Sequence, residues 1–236
     1  MPTSTLDAAT SPAADPGLVA TIIGFIQNGG PFMYPILVVL AVGLGIVLER
    51  IIYLQSIKSR NQKTWKEVFP LLSKAQFRQA MEAVQNKETG LARVIGYGLD
   101  RARTSRRHED VELAMEEGLM EVLPRLETRT GYVGTLANIA TLLGLLGTIL
   151  GLIAAFTAVA SADPAQKADL LSASISVAMN TTAFGLMVAI PLLLAHAFIN
   201  SMTNKIVDSM EMASVKFINV YRHAMTQQEQ RKAEAE

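Results

Sequence analysis

The longest apolar stretch of the chain carries polar side chains along one side. Residues 131–160 contain no Asp, Glu, Lys, Arg or His. On a 3.6-residue repeat, one face of this stretch presents Gly134, Asn138, Thr141, Leu145, Thr148 and Leu152. Amide and hydroxyl oxygens can solvate a hydrated proton or a sodium ion, although they do not titrate near neutral pH. A membrane helix turns such a stripe toward protein or water rather than toward lipid.

A second apolar stretch, residues 171–198, holds Thr181 and Thr182 and contains no Asp, Glu, Lys or Arg. Thr182 shares a helical face with Ala178 and Gly185, whereas Asn180 lies roughly opposite and is predicted to bond a neighbouring helix. A hydroxyl in such a helix often bonds its own backbone. The pattern therefore leaves open whether the threonines face an ion path or only their own helix.

Neither stretch contains an Asp, Glu, Lys or Arg for acid–base chemistry. A serine hydrolase needs a base beside its nucleophile, and a metal site needs clustered His, Cys, Asp or Glu. The chain has no cysteine, and its histidines, His108, His196 and His223, are spread widely. It also lacks the glycine motifs that bind ATP or dinucleotides. We therefore predict no enzyme, no catalytic residue, no metal and no cofactor, and the net charge of zero argues against nucleic-acid binding.

Small residues in the two stretches favour close packing of helices. Gly144, Gly147 and Gly151 lie in the first stretch and Gly185 lies in the second. Residues 147 and 151 form a G-x-x-x-G step, which lets two helix backbones approach closely in lipid. We predict that these glycines, together with Asn180, pack the helices.

The segments divide into three spans and their extensions. We predict a periplasmic tail with a short interfacial helix (1–31), a first span (32–54), a cytoplasmic helical domain (55–130), a second span (131–160), a periplasmic turn (161–170), a third span (171–199) and a cytoplasmic C-terminal helix and tail (200–236). The fold class predicted is an all-α integral membrane protein with three transmembrane helices and long cytoplasmic helical extensions.

Several local features refine this layout. The interfacial helix is placed over Leu18–Asn28, and Arg50 is expected to extend toward the membrane interface. In the charged segment, helical periodicity covers Trp65–Leu72, Ala75–Gln85, Leu91–Arg103 and Asp110–Thr128. The last of these helices is expected to run straight into the second span, with Pro124 as a possible kink.

The distribution of positive charge predicts the orientation in the membrane. The N-terminal flank has no Lys or Arg, and residues 161–170 contain only Lys167. The other 20 of the 21 lie at Arg50, in residues 58–129 or after residue 200. The positive-inside rule therefore places the N-terminus and the short turn outside, and the large loop and the C-terminus in the cytoplasm.

Two long motifs resemble those of a known family. The second span, LANIATLLGLLGTILGLIAAF, and the third, SISVAMNTTAFGLMVAIPLLL, are similar to the span signatures of the MotA/TolQ/ExbB proton channel family. The Glu49-Arg50 end of the first span also resembles the family. The resemblance covers all three spans and indicates the branch of ExbB and TolQ.

This resemblance implies a function and partners. It implies the channel-forming subunit of an inner-membrane energy transducer, in which proton motive force or a sodium gradient powers transport or force transmission at the cell envelope. It implies a homopentamer in the lipid bilayer around two single-span partners of the ExbD/TolR type, which carry a membrane-embedded aspartate. A TonB-like or other envelope protein would receive the motion.

The resemblance also suggests ion-path residues. Thr148 and Thr182 match the pore threonines of spans two and three, and Thr141, Asn138 and Thr181 are predicted to line the path with them. Two positions depart from the family pattern: Thr141 replaces a frequent proline, and Val177 replaces a glutamate that many relatives carry five residues before the threonine. A carboxylate on this subunit therefore cannot serve the ion path. The aspartate of the partner would have to bind and release the ion.

Two alternative functions remain open. A non-conducting scaffold that only holds a single-span partner would account for the missing glutamate. A flagellar-stator-like subunit is a second alternative, although such stators usually have four spans.

Overall fold

The computed structural model describes residues 29–105 and 107–233. This part of the chain folds into six helices and has no strand. They are α1 (Met33–Ser73), α2 (Phe77–Gln85), α3 (Gly90–Thr104), α4 (His108–Glu127), α5 (Thr130–Ser161) and α6 (Lys167–Ala233). The predicted tail and the interfacial helix at Leu18–Asn28 lie outside the described residues.

Three stretches of helix in the described part are long and apolar enough to cross a membrane. They lie within residues 33–73, 108–160 and 167–227. The all-α fold class and the three spanning helices predicted from the sequence are thus confirmed. Because each stretch satisfies its own backbone hydrogen bonds, lipid imposes no penalty on its main chain.

The helix bounds differ from the sequence analysis at the start of α5. Instead of one kinked helix, α4 ends at Glu127 and α5 begins at Thr130. The carbonyl of Pro124 accepts both the Thr128 backbone N–H, at 3.1 Å, and the Thr128 hydroxyl, at 2.8 Å. Arg129 then adopts a positive φ of 62°, which an α-helix cannot contain. In contrast, α1 and α6 continue without interruption far beyond their apolar parts.

The described residues belong to two compact units. One unit comprises Met1–Val38 and Ala140–Met187 and is called the threonine unit below; the other comprises Val39–Ile139 and Val188–Glu236 and is called the collar unit. The threonine unit contains the facing parts of α5 and α6. Its buried side chains are mostly small or aliphatic: Met33, Ile36, Ala140, Ala155, Ala178 and Phe184.

The collar unit has a larger core of aliphatic and aromatic side chains. Phe217 is fully buried, and its ring stacks on that of Tyr221 with a centroid separation of 6.3 Å. The Phe77 ring lies edge-on to both, at 6.4 and 5.9 Å. The Tyr221 hydroxyl donates to the carbonyl of Ser105, 3.0 Å away, at the end of α3. These contacts join α2 and α3 to the far part of α6.

A buried arginine connects α1 to the end of α4 in the collar unit. Arg50 is only 2% exposed, and its Nη2 donates to the carbonyl of Leu126. The last four carbonyls of a helix lack partners within it, and the helix dipole favours a cation there. The guanidinium also lies 5.0 Å from the centre of the Tyr53 ring. Arg50 thus caps α4; its extension toward a membrane interface stays a prediction.

Candidate functional site

The helices α5 and α6 meet at glycines in the threonine unit. A Cβ atom built on Gly144 would lie 3.2 Å from the Cα of Thr182 and 3.3 Å from that of Gly185. One built on Gly185 would lie 2.7 Å from the Ala140 carbonyl oxygen. A Cβ on Gly151 would lie 2.8 Å from that of Ala178. The backbones of α5 and α6 therefore approach so closely at these positions that a side chain larger than that of glycine would push the helices apart.

The same contact brings the two predicted pore threonines together. Thr148 on α5 and Thr182 on α6 are half-buried, and their Oγ1 atoms are 2.7 Å apart. Thr182 Oγ1 also lies 2.8 Å from the Gly144 carbonyl across the helix contact. Thr148 Oγ1 lies 2.9 Å from the carbonyl of Leu145 and 3.2 Å from that of Gly144 in its own helix. Thr148 therefore bonds both its own helix and Thr182 on the neighbouring helix.

The hydrogen atoms of this pair allow two arrangements. Each hydroxyl has one proton to donate and two acceptor lone pairs. Thr148 can donate to Thr182, which then donates to Gly144, or Thr182 can donate to Thr148, which then donates to Leu145. Each arrangement makes two strong bonds, and the two differ only in direction. In both, the hydroxyl oxygens keep lone pairs that a water molecule or a cation could use.

Thr181 contacts a different part of the chain from Thr148 and Thr182. Its side chain is 2% exposed, and its hydroxyl lies 2.6 Å from the carbonyl of Gly29 and 3.0 Å from that of Val177. It faces Gly147 on α5, where a Cβ would collide with the threonine side chain. Within this chain, Thr181 therefore binds the segment before α1 to α6 and is separate from the Thr148–Thr182 pair.

The remaining predicted residues lie on surfaces of the chain. Asn138 and Thr141 are exposed on α5, and Asn138 belongs to the collar unit. Asn180 is half-buried on α6, and its side chain forms no hydrogen bond with any described residue. Polar groups on a membrane-spanning helix are costly against lipid. Asn138 and Asn180 therefore require contact with water or with another protein chain.

The apolar parts of α5 and α6 around the threonine pair hold no side chain that titrates near neutral pH. Between Ala140 and Ala162, and between Leu170 and Met187, the sequence contains no Asp, Glu, Lys, Arg or His. Val177, which stands at the position of the expected glutamate, is 38% exposed. Among the described residues, no group of three His, Cys, Asp or Glu side chains could hold a metal ion. The site can therefore orient and solvate an ion, but it cannot itself exchange a proton.

The patterns in the sequence did not predict the contribution of the Gly29-Gly30-Pro31 segment. The Gly29 carbonyl accepts the Thr181 hydroxyl, and Gly30 lies against Val177. Gly30 has a φ of 76°, a conformation that favours glycine. The paired glycines were the available signal, since they indicate a conformation and a close approach that other residues resist.

Known proteins share this sequence pattern. Residues 86–212, more than half of the chain, match the MotA/TolQ/ExbB proton channel family. An ExbB homolog from Methanothermobacter thermautotrophicus is 27% identical over 194 residues, which cover 81% of this chain and 67% of the relative. ExbB-like protein 3 from Synechocystis is 28% identical over 172 residues, with 72% and 81% covered.

A third relative matches over a shorter stretch with a higher sequence identity. The biopolymer transport protein exbB1 of Vibrio cholerae is 34% identical over 88 residues, which cover 37% of this chain and 38% of that protein. The family match and these relatives agree with the three apolar helices and with the branch indicated by the span motifs. The chain belongs to the MotA/TolQ/ExbB proton channel family and is a membrane protein of the ExbB/TolQ type.

Proposed function

We propose that this chain is the channel-forming subunit of an ion-driven energy transducer in the inner membrane. The observation that carries the proposal is the Thr148–Thr182 contact, with hydroxyl oxygens 2.7 Å apart in a stretch free of charged side chains. Such a pair can replace part of the hydration of a moving ion. The ion is a proton or a sodium ion, and the chain acts as a transport protein without enzymatic activity or a cofactor.

The subunit works with a partner that supplies the titratable group. A bare cation at the centre of a bilayer costs several kcal/mol, so an ion path needs a site that binds and releases the ion. The apolar parts of α5 and α6 in the threonine unit hold no acid or base, and the Thr148–Thr182 pair offers hydroxyls only. A single-span protein of the ExbD/TolR type, with a membrane aspartate, would supply that site beside Thr148 and Thr182. A TonB-like or other envelope protein would receive the resulting motion.

The exposed polar residues favour an oligomer. Asn138 and Asn180 need protein or water around them, and one copy of the chain leaves Asn138 exposed. A homopentamer around two partner helices would enclose such positions. The distribution of Lys and Arg would place the N-terminus in the periplasm and the C-terminus in the cytoplasm.

Ion flux into liposomes tests the proposal. The protein is reconstituted alone, with its ExbD/TolR-type partner, and with a partner whose membrane aspartate is changed to asparagine. Proton and sodium gradients are applied separately. We expect negligible flux from the protein alone, flux with the intact partner, and loss of that flux with the asparagine variant.

The opposite results have definite meanings. Equal flux from this protein alone would contradict the need for the partner's carboxylate. Tight binding of the partner without any flux would favour the scaffold alternative, which the lack of acids in the apolar parts of α5 and α6 supports. Native mass spectrometry of the same samples measures the number of copies, and a stable monomer would contradict the oligomer.

A further inference from the structure

A cavity of about 130 Å³ lies in the collar unit at the N-terminus of α3. Residues from α1, α3 and α4 and from the turn before α3 line it. Its polar lining includes three arginines, one from each helix, and one acid: Arg60, Arg93, Arg125, Asn61, Thr89 and Glu88. Since a water molecule occupies roughly 30 Å³ of liquid, the cavity has room for a polyatomic ion.

The N-terminus of α3 gives this cavity a positive pole. The helix has 15 residues and begins at Gly90, directly after Thr89. The Thr89 hydroxyl accepts the backbone N–H of Ala92 at 3.2 Å and contacts the Thr64 hydroxyl at the same distance. The first N–H groups of a helix carry partial positive charge and attract anions. This feature alone would not identify a site, because many helices begin at a surface.

A buried amide at the cavity lacks an acceptor. Asn61 is 4% exposed, and its Oδ1 accepts the backbone N–H of Leu91 at 3.4 Å. That bond fixes the orientation of the amide, since a flipped side chain would place two donors face to face. Asn61 Nδ2 then has no hydrogen-bond partner in the described part of the chain. A buried donor requires an acceptor, and Asn61 is one of the residues that line the cavity.

Charges around the cavity favour an anion. Arg93 pairs with Glu121 at 2.7 Å, and Arg125 lies 3.9 Å from the same carboxylate oxygen. Arg60 forms no ion pair with any described residue. Three guanidinium groups therefore face two carboxylates, Glu88 and Glu121, and the helix terminus adds to the positive excess. Donors that arrive from several elements fit a tetrahedral oxyanion better than a planar carboxylate.

We propose that this cavity binds a phosphate group. Arg60 and Asn61 Nδ2 contact its oxygens directly, and the α3 N-terminus and the other two arginines stabilise its charge. The phosphate comes either from a soluble anion or from the headgroup of an anionic lipid. Tyr53, which also lines the cavity, lies at the end of the predicted first span, and Arg60 is about 9 Å further along α1. A headgroup at that interface could therefore reach the site.

Binding to the full-length protein in an uncharged detergent tests the proposal. Thermal unfolding is followed with inorganic phosphate and with chloride at equal ionic strength, and native mass spectrometry measures binding of phosphatidylglycerol and phosphatidylcholine. Arg60→Gln removes the free cation, and Asn61→Asp replaces the donor with a negative acceptor of the same shape. Arg78→Gln makes the same charge change at an exposed position of α2 and serves as the control.

We expect both cavity variants to weaken binding about tenfold or more, which corresponds to losing one charge-assisted hydrogen bond. The control should bind as the wild type does. Phosphate-dependent stabilisation that the variants lose indicates a soluble source, whereas preferential binding of phosphatidylglycerol that they lose indicates a lipid source. If Asn61→Asp does not fold, the test rests on Arg60→Gln, which changes an exposed side chain. The proposal would be overturned if neither phosphate nor phosphatidylglycerol bound, or if the wild type and Arg60→Gln bound equally well. Ordered water would then be the occupant of the cavity.

Discussion

Helices α5 and α6 in the threonine unit and helices α1 and α4 in the collar unit are joined by opposite kinds of contact. The first pair meets through glycines at backbone distance, with hydroxyls as its only polar side chains. The second pair is joined by Arg50, a buried charge that caps a helix end. Lipid gives helices no hydrophobic reason to associate, so close approach and hydrogen bonds must hold them. A buried cation that caps a helix end joins α1 and α4 by side-chain burial and a charge-assisted hydrogen bond instead.

The largest expected effect is on ion flux. Its size distinguishes threonine hydroxyls that contact the proposed ion path from those that only pack one helix against another. Thr182→Val keeps the shape of the side chain but removes the bonds to Thr148 and Gly144. We expect most of the partner-dependent flux in liposomes to be lost while assembly is retained. Thr148→Val should act in the same way.

Thr181→Val is the matched control on the same helix. It removes a buried hydroxyl that bonds Gly29, so it should cost about 1 kcal/mol of stability and leave the flux intact. Equal flux in the wild type, Thr148→Val and Thr182→Val would show that these threonines only pack the helices.

A methyl group at the glycine contact should destabilise the threonine unit. In Gly185→Ala the new Cβ would meet the Ala140 carbonyl oxygen at 2.7 Å and the Gly144 Cα at 3.0 Å. These are backbone atoms, so the helices must separate, at a cost of about 3 kcal/mol. Gly45→Ala on α1 is the control, because a Cβ there meets nothing within 4 Å. The melting temperature in detergent should be lower than that of the wild type for Gly185→Ala only. Equal melting temperatures would mean that the helix contact adapts easily to the added methyl group.

Loss of the helix cap should destabilise the collar unit somewhat less. Arg50→Gln removes the cation at the end of α4 and its bond to Leu126, and we expect a loss of about 2 kcal/mol. The exposed pair of Arg107 and Glu109, 2.9 Å apart, supplies the control, since Arg107→Gln should change stability by less than about 1 kcal/mol. Chemical denaturation compares the variants. A larger effect of Arg107→Gln would contradict the assignment of the cap to Arg50.

The smallest effect concerns a surface hydrogen bond with a defined pH dependence. The Tyr97 hydroxyl donates to Glu121 at 2.8 Å, which lowers the pKa of Glu121 and raises the pKa of Tyr97. The lowered pKa adds stability above about pH 4.5 that is lost as pH falls through the folded-state pKa. The raised pKa adds stability below about pH 10 that is lost as pH rises through the folded-state pKa.

Tyr97→Phe tests this dependence. The variant should be slightly less stable than the wild type near pH 7, and the difference should shrink in acid and in strong base. Thermal unfolding measured across pH shows the trend. A difference that is constant over the whole range would mean that the hydrogen bond does not couple to either ionisation.

Much of the fold could be predicted because its causes are local in sequence. Long runs without charge specified the three spans, and 3.6-residue periodicity located α2, α3 and α4 to within a few residues. The join between α4 and α5 could not be read in this way. It depends on how the Pro124 carbonyl is shared by Thr128 and on a left-handed Arg129, which hydrophobic periodicity does not report.

The sequence by itself determined that residues 140–187 hold no titratable group within the apolar parts of their helices, because that follows from residue types alone. It also placed Thr148 and Thr182 on helices that small residues allow to pack. Only the tertiary structure decided that these two hydroxyls touch each other while the adjacent Thr181 binds Gly29. The physical reason is that neighbouring helical positions point about 100° apart, so the helix contact at Gly144 and Gly185 selects which hydroxyl faces which partner.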